Sequence, residues 1–416
     1  MTGQKDLKIT FIGDIMCEKP LLKGAYREGG RFDFSPLFSA VKDKFGESSY
    51  VVGNLETVCA GQTAGYTDQV YSFNSPDSLI QAISEAGINL VTTANNHCLD
   101  RGLDGLKRTL DLLDQQGLEH TGTFRSEAER EKILVKDFEG FKVAFLAYTY
   151  GTNTRLNQEL LGRGEEYAVN RLQCQAAEAG QGQANSLKAR IAGPVLKRLS
   201  LERWLKFKQL TGFKPPRPSV DDSLEALDGN FLEQLQADLK RAGKVANYTI
   251  CCLHSGGQFN LEPGRFSHHI FDFLAKNGAD LVVGTHPHVV QRHDLFAGSM
   301  LGFYSLGSFS ISPSSPYLVK AGLPCYSVML HLYFKQKVLS KVTFTVLKAV
   351  EDKRGMLVIY PVNLLGHELV QGREISRLVE DVTFIYNRIM AGAKKKVKLQ
   401  DEYLLWPGEF LINDDR

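Results

Sequence analysis

The sequence predicts an α/β fold, and three observations carry that expectation. Short apolar runs rich in β-branched residues alternate with helical patterns along most of the chain. The helical patterns are punctuated at their ends by Pro, Gly and Asn. Polar residues able to do chemistry stand where the apolar runs stop, at 13–14, 53–56, 94–97, 254 and 284–288.

The runs expected as strands are residues 8–12, 50–52, 90–93, 143–148, 248–253, 281–283 and 301–304. Ahead of the third, Ser75-Pro76-Asp77 reads as an N-cap, an N1 proline and a first-turn acid, and Gly87 follows the last periodic residue. Leu103, Leu106, Leu110 and Leu113 form one helical stripe that stops near Gly117. Phe266, Ile270, Phe273 and Leu274 form another, closed by Asn277-Gly278. Both stripes are expected to face the core. Residues 155–230 break the alternation with "QCQAAEAGQGQAN" and "FKPPRPS", and are expected to be a helical, partly flexible insertion between two strands of one domain. After about residue 335, β-like "KVTFTVLKAV" and "MLVIYPVNLL" precede a charged helical tail, in which "KKKVK" at 394–398 reads as a solvated face.

Composition narrows the function classes. Apolar content of 43% and charged content of 23% are those of a soluble globular protein, and 416 residues suffice for one large α/β domain or several smaller ones. A net charge of +2 calls for neither nucleic acid nor an anionic membrane surface. The seven cysteines include no CxxC pair, and Cys251-Cys252 lie inside an apolar run, which suits buried free thiols in a reducing compartment. "MTGQKDLKITFIGD" holds no long apolar segment and no run of 18 apolar residues occurs, so a cytoplasmic protein without a signal peptide or transmembrane helix is expected.

The chemistry lies at the strand ends. In open α/β sheets the carboxyl ends of the strands line one edge, where ligands bind. Five runs deliver Asp14, Glu56, Asn96, His254, His286 and His288 to such an edge, with His97 beside them. Singly, each has an ordinary reading: a turn, a helix cap, a satisfied core histidine. Together they make a mixed nitrogen and oxygen shell suited to Mn²⁺, Zn²⁺, Fe or Ni rather than Ca²⁺. Six donors exceed the needs of one catalytic zinc, so two divalent ions sharing a carboxylate, about 3.5–4 Å apart, are the economical reading. In "LVVGTHPHVV", Gly284 releases the strand and Pro287 stiffens the loop, so that His286 and His288 serve different ions. His120, His268, His269, His331 and His367 stand in no constellation and read as structural or exposed, while His293 is close enough in sequence to be a supporting residue.

The motifs "FIGDIM", "VVGNLETV", "TTANNHCLDRG", "HSGGQF", "GADLVVGTHPHVVQ" and "YSLGSF", in that order, resemble the CapA or poly-γ-glutamate synthesis family, itself similar to the calcineurin-like metallophosphoesterases. The resemblance covers residues 8–154 and about 231–312 and leaves the insertion unmatched. It implies a four-layer α/β/β/α sandwich over residues 1–334, with residues 335–416 completing it or packing on it. By position, Asp14 would bind one ion, Glu56 would bridge the two, Asn96, His254 and His286 would hold the second, and His288 would return to the first. His97 would stand free of metal beside the substrate as a general acid, with Asp100 and Gly102 supporting its loop. Asn54, Asn95, Arg101, Gly257 and Ser308 flank these ligands as candidates for contact with substrate or for support. The chain departs from the pattern at Met16, where metallophosphoesterases usually have histidine, and at Ser255, Gln258 and Ser308, where an aromatic, an acid and an asparagine are usual. The implied activity is two-metal hydrolysis of a phosphoester or related anionic substrate. The alternative is an accessory or binding component of poly-γ-glutamate or capsule synthesis without phosphatase activity, its partner an anionic small molecule or γ-glutamyl polymer.

Overall fold

Side chains along a strand alternate between faces, and in the first strand this splits the core in two: Ile9 and Phe11 pack on one side, Ile12 and Ile15 on the other. The structure is a computed structural model that describes residues 6–175, 221, 223–224, 227–368 and 373–406. Its strands are β1 (Leu7–Ile15), β2 (Tyr26–Arg27), β3 (Arg31–Phe32), β4 (Tyr50–Leu55), β5 (Leu90–Thr92), β6 (Glu119–Thr121), β7 (Leu134–Phe138) and β8 (Phe141–Thr149). They continue with β9 (Tyr248–His254), β10 (Leu281–Thr285), β11 (His293–Phe296), β12 (Met300–Phe303), β13 (Tyr326–Lys335), β14 (Val338–Glu351), β15 (Leu357–Pro361) and β16 (Tyr403–Trp406). All seven expected runs are strands, with Thr93 and Tyr304 falling just beyond their ends.

Two large sheets result. One has the order β15-β14-β13-β1-β4-β5-β6, with β16 paired to β14; the other has β11-β12-β10-β9-β8-β7. β1, β4, β5 and β6 run parallel, as do β8, β9, β10 and β12. The sheets face one another across a core that joins Ile9, Phe11 and Val52 to Val143, Phe145 and Val283. Helices cover both outer faces. Ser78–Glu85 and Gly102–Gln115 set Ile80, Ile83, Leu106 and Leu110 against Ile12, Val51 and Val91. Gly229–Val245 and Arg265–Lys276 set Leu239, Ile270 and Leu274 against Leu146, Cys251 and Val282. This is the four-layer α/β/β/α sandwich. Burying one such Leu or Ile side chain contributes about 1.5–3 kcal/mol, so the sequence pattern itself selects the layering.

β14 and β15 pair antiparallel beyond β13, and Leu378, Val382 and Ile385 of the helix Arg373–Ile389 close the open end of the inter-sheet core. The lysines at 394–396 are exposed, as a solvated face should be.

One expectation is corrected. Ser75 does not cap a helix: its hydroxyl pairs with Thr57 Oγ1 at 2.7 Å, and the helix starts at Ser78, where the Leu79 N–H reaches the Pro76 carbonyl. Gly87 does end it, at φ 96°. Of the expected insertion, residues 155–175 fold back on the strands through bridges between Thr123 and Val169 and between Thr149 and Arg171. Residues 176–220, 222 and 225–226 lie outside the described residues.

Candidate metal centre

Parallel neighbours end at one edge, which is how residues spread from Asp14 to His288 meet. β1, β4 and β5 are adjacent in one sheet and bring Asp14, Glu56 and the Asn95–Asn96–His97 turn. β9 and β10 are adjacent in the other and bring His254, His286 and His288. A register shift in β1 between Phe11 and Asp14 re-aims the strand at the ligand. Gly13 permits the close approach that follows, since a Cβ there would lie 1.8 Å from the Gly307 carbonyl oxygen. The loop after β10 is held in a conformation uncommon for side-chain-bearing residues, with φ of 98° at His286 and 58° at His288.

The donors fall into two groups that share one carboxylate. Glu56, His254 and His286 form one, Asp14, Glu56 and His288 the other, and within each the donor atoms lie within 4.8 Å of one another. Asn96 joins the first group, its Oδ1 2.8 Å from His254 Nε2. His254 Nε2 is also 3.2 Å from His286 Nδ1 and 3.5 Å from Glu56 Oε1. In the second group His288 Nδ1 lies 3.2 Å from Asp14 Oδ2 and Nε2 lies 3.8 Å from Glu56 Oε1. The side chain of Met16 takes no part: it is fully buried in an apolar cluster with Phe73, Ile311 and Tyr317.

The surrounding residues orient these donors. Asn54 Nδ2 donates to Asp14 Oδ1 at 2.8 Å, and the His286 N–H donates to Asp14 Oδ2 at 3.2 Å. Thr285 Oγ1 sits 2.9 Å from His254 Nδ1, and Ser308 Oγ sits 2.7 Å from His288 Nδ1. Asn95 bonds the Leu55 carbonyl and accepts the His97 N–H, fixing the turn. Asp100 Oδ2 lies 2.6 Å from His97 Nδ1, so His97 turns its Nε2 toward Glu56 Oε1, 3.9 Å away.

Electrostatics separate the groups. Burial opposes charge on Asp14, but His288, His254 and Asn54 outweigh it and hold that carboxyl below its ordinary range. At Glu56 the balance reverses: burial, then the Asp14 charge, outweigh the pull of His288 and His97 and push it up to about 8. Burial drives His254 down to about 4, and His286 is likewise held well below its usual value. Burial would lower His97 and His288 too, but the Asp100 carboxylate raises the first, and Glu56 and Asp14 raise the second.

The residues present fit a divalent pair. Glu56 is 0% exposed and neither of its carboxylate oxygens has a hydrogen-bond partner. A buried carboxylate so left costs several kcal/mol, and divalent cations held by the two donor groups would supply what it lacks. Neutral imidazoles at His254 and His286 are the protonation state that ligation needs.

Some flanking candidates have other work. Arg101 spends its guanidinium on Ala64 and Gly65 carbonyls, Ser72 Oγ and the Asp100 carbonyl, which braces the loop over the site. The Gly257 carbonyl accepts the Asn260 N–H within the loop after β9. His293 is corrected: Nδ1 meets the Ile389 carbonyl at 2.5 Å and the ring stacks on Phe303, so it belongs to the seam with the C-terminal helix. His331 is buried between Thr10 and Thr345, His120 pairs with Asp114, and His268, His269 and His367 are exposed. Sequence reasoning missed Asn153, whose Nδ2 is 3.4 Å from His97 Nε2, and Phe73, whose ring centre is 4.3 Å from that of His97. It also passed over Thr285, which its place directly before His286 could have flagged.

Residues 8–313 match the family described as "Bacterial capsule synthesis protein PGA_cap". The chain is 23% identical over 305 residues to the PGA biosynthesis protein CapA of Bacillus subtilis and 24% identical over 306 residues to the capsule biosynthesis protein CapA of Bacillus anthracis. Each alignment takes in 73% of this chain but 63% and 59% of those proteins, so the chain spans about three fifths of the curated relatives it matches. Among solved structures, it is similar to a hypothetical protein from Thermus thermophilus at 15% identity and a TM-score of 0.38, covering 85% of this chain and 98% of that one. No helix among the described residues is long and apolar enough to cross a membrane.

Proposed function

Since the chain belongs to the bacterial capsule synthesis protein PGA_cap family, we propose that its centre holds two divalent ions and hydrolyses a phosphoester or related anionic substrate. The observation that carries this reading is Glu56, a fully buried carboxylate with both oxygens unpartnered, standing between two donor groups that share it. Asp14, Glu56 and His288 would hold one ion, and Glu56, Asn96, His254 and His286 the other. What such a pair supplies when bound is Lewis acidity, which acidifies water and offsets charge on the attacked group.

The chain's own residues do the rest. Asp100 takes the Nδ1 proton of His97 as a hydrogen bond, which leaves Nε2 as the nitrogen that exchanges a proton with substrate. In the productive form His97 carries that proton and gives it to the departing oxygen, a role for which its raised pKa suits it near neutral pH. Asn54, Ser308 and Thr285 hold Asp14, His288 and His254 in place. The loop 61–74, braced by Arg101, packs the Phe73 ring against His97.

The test is metal content by mass spectrometry followed by hydrolysis of an aryl phosphate with Mn²⁺ and with chelator. Two equivalents of metal and chelator-sensitive turnover are expected; a folded protein that takes up no metal overturns the reading. The names of the two CapA relatives favour a second reading, in which the same centre handles a γ-glutamyl polymer as an accessory to its synthesis. Binding of poly-γ-glutamate that weakens with salt, without phosphoester turnover, would select it.

A further inference from the structure

We propose that a wall of aromatic rings beside the metal centre is a subsite for a planar apolar group on the substrate, placed on the side from which that group departs; this rests on the hydrolase reading. Two of the rings are tied directly to the centre through their own backbone N–H groups. The Phe73 N–H donates to Asp100 Oδ2 at 2.6 Å, the same oxygen that holds His97, and the ring lies 4.3 Å from the imidazole. The Phe259 N–H donates to the Pro287 carbonyl at 2.8 Å, between His286 and His288, and its ring lies 5.9 Å from that of His288. Tyr317 bridges toward the outside, 6.1 Å from Phe259 and 5.1 Å from Tyr71. It is fixed from behind, because its hydroxyl donates to the buried Glu18 carboxylate, which also accepts the Ser312 N–H at 2.8 Å.

Packing alone does not account for this wall. Tyr71 and Phe259 are only half-buried, yet both adopt left-handed backbone, with φ of 66° and 60°. Bulky residues resist that conformation, and such outliers concentrate where a side chain must be aimed. Both pack against the apolar cluster built on Met16, Phe73, Ile311, Tyr317 and Leu318, Phe259 beside His288 and Tyr71 farther out against Tyr317, and both keep part of their surface exposed. The wall begins at His97, the group proposed to protonate the leaving oxygen. A flat apolar leaving group would lie against it while the anionic part faces the ligands.

The experiment measures binding, so it does not depend on turnover. The full chain loaded with Mn²⁺ is titrated calorimetrically with phenylphosphonate and with methylphosphonate, which share the anion and differ in the ring. Phenylphosphonate is expected to bind roughly tenfold tighter, as one ring stack allows. Phe259→Ala and Tyr71→Ala should each shrink that ratio toward one. Phe259→Leu, which keeps the apolar volume without the ring, gives an intermediate ratio and serves if the alanine variants do not fold. Equal affinities in the wild type, no binding of phenylphosphonate, or a ratio unmoved by every variant overturns the subsite. An intact ratio in a protein that hydrolyses no phosphoester leaves the subsite standing and removes the hydrolase reading instead.

Discussion

Glu56 Oε1 lies 3.5 Å from His254 Nε2 and 3.8 Å from His288 Nε2, equidistant within a few tenths between the two donor groups and bonded to neither. That placement makes metal removal measurable as stability. In chelator, the folded protein holds a proton on Glu56 from about the ordinary value of 4.5 up to about 8, a range in which the unfolded chain has lost it. Stability contributed by the protonated group is present below 4.5 and is lost as pH rises through 8, with a slope of up to ~1.4 kcal/mol per pH unit. Glu56→Gln should flatten this slope. With Mn²⁺ present the wild type should instead gain stability above pH 7, because ligation requires the carboxylate, and Glu56→Gln should lose most of that gain. Thermal melts across pH, with and without chelator, check all four outcomes.

His97 and Asp100 should separate catalysis from ligation. His97→Ala is expected to lower aryl phosphate turnover roughly 10²- to 10⁴-fold while metal content stays at the wild-type value. Asp100→Asn should do less to turnover, roughly tenfold to a hundredfold, since the imidazole remains but its tautomer is no longer fixed. Steady-state kinetics paired with metal analysis reads both. Turnover that survives His97→Ala unchanged removes the general-acid role.

The strand ends were legible because burial on both faces leaves a sequence mark: β10 reads as unbroken apolar residues up to Gly284, and anything polar directly after it stands out. Asp14, Glu56, Asn96, His254, His286 and His288 were all visible in this way. Which of them group together came only from the family resemblance, since grouping depends on sheet order: β9 beside β10, β1 beside β4. Asn153 left no mark at all, being one polar residue in a polar loop, brought to His97 by a left-handed backbone at φ 54°. Phe73, Phe259 and Tyr317 lie far apart in sequence without a shared period, so only tertiary structure assembles them. Ser75 misled because its hydroxyl found Thr57, a partner from a distant turn, before the helix N-terminus.

His331 should make the protein acid-sensitive independently of the centre. It is fully buried, with Thr10 Oγ1 2.8 Å from Nδ1 and Thr345 Oγ1 3.1 Å from Nε2, and burial lowers its pKa from 6.5 to about 3. Between those values the unfolded chain binds a proton that the folded one does not. The stability of the neutral form is therefore complete above 6.5 and declines as pH falls toward 3, by up to ~1.4 kcal/mol per unit. His331→Gln, which keeps a donor and an acceptor, should flatten that part of the curve. Denaturant titrations at pH 7, 6 and 5 in chelator test it; parallel loss in wild type and variant would show that His331 is not the group responsible.

Two glycines should be as necessary to the centre as its ligands. A Cβ on Gly13 would stand 1.8 Å from the Gly307 oxygen, and one on Gly284 would stand 2.1 Å from the Tyr304 oxygen. Both obstacles are backbone, so each strand must part from the segment that follows β12. The Gly13 contact carries the Phe309 N–H bond to the Asp14 carbonyl at 2.9 Å, and the Gly284 contact carries the Leu306 N–H bond to its own carbonyl at 3.2 Å. Gly13→Ala and Gly284→Ala are each expected to destabilise the fold by about 3 kcal/mol or more and to displace Asp14 or the His286–His288 loop, so metal affinity falls with stability. Gly46→Ala is the control, because nothing lies within 4 Å of a Cβ there; its effect should stay within about 1 kcal/mol. Calorimetric melts in chelator and metal titrations at a temperature where every variant is folded give the two readouts, and a Gly13→Ala protein that melts and binds Mn²⁺ like wild type would remove the close packing that this geometry requires.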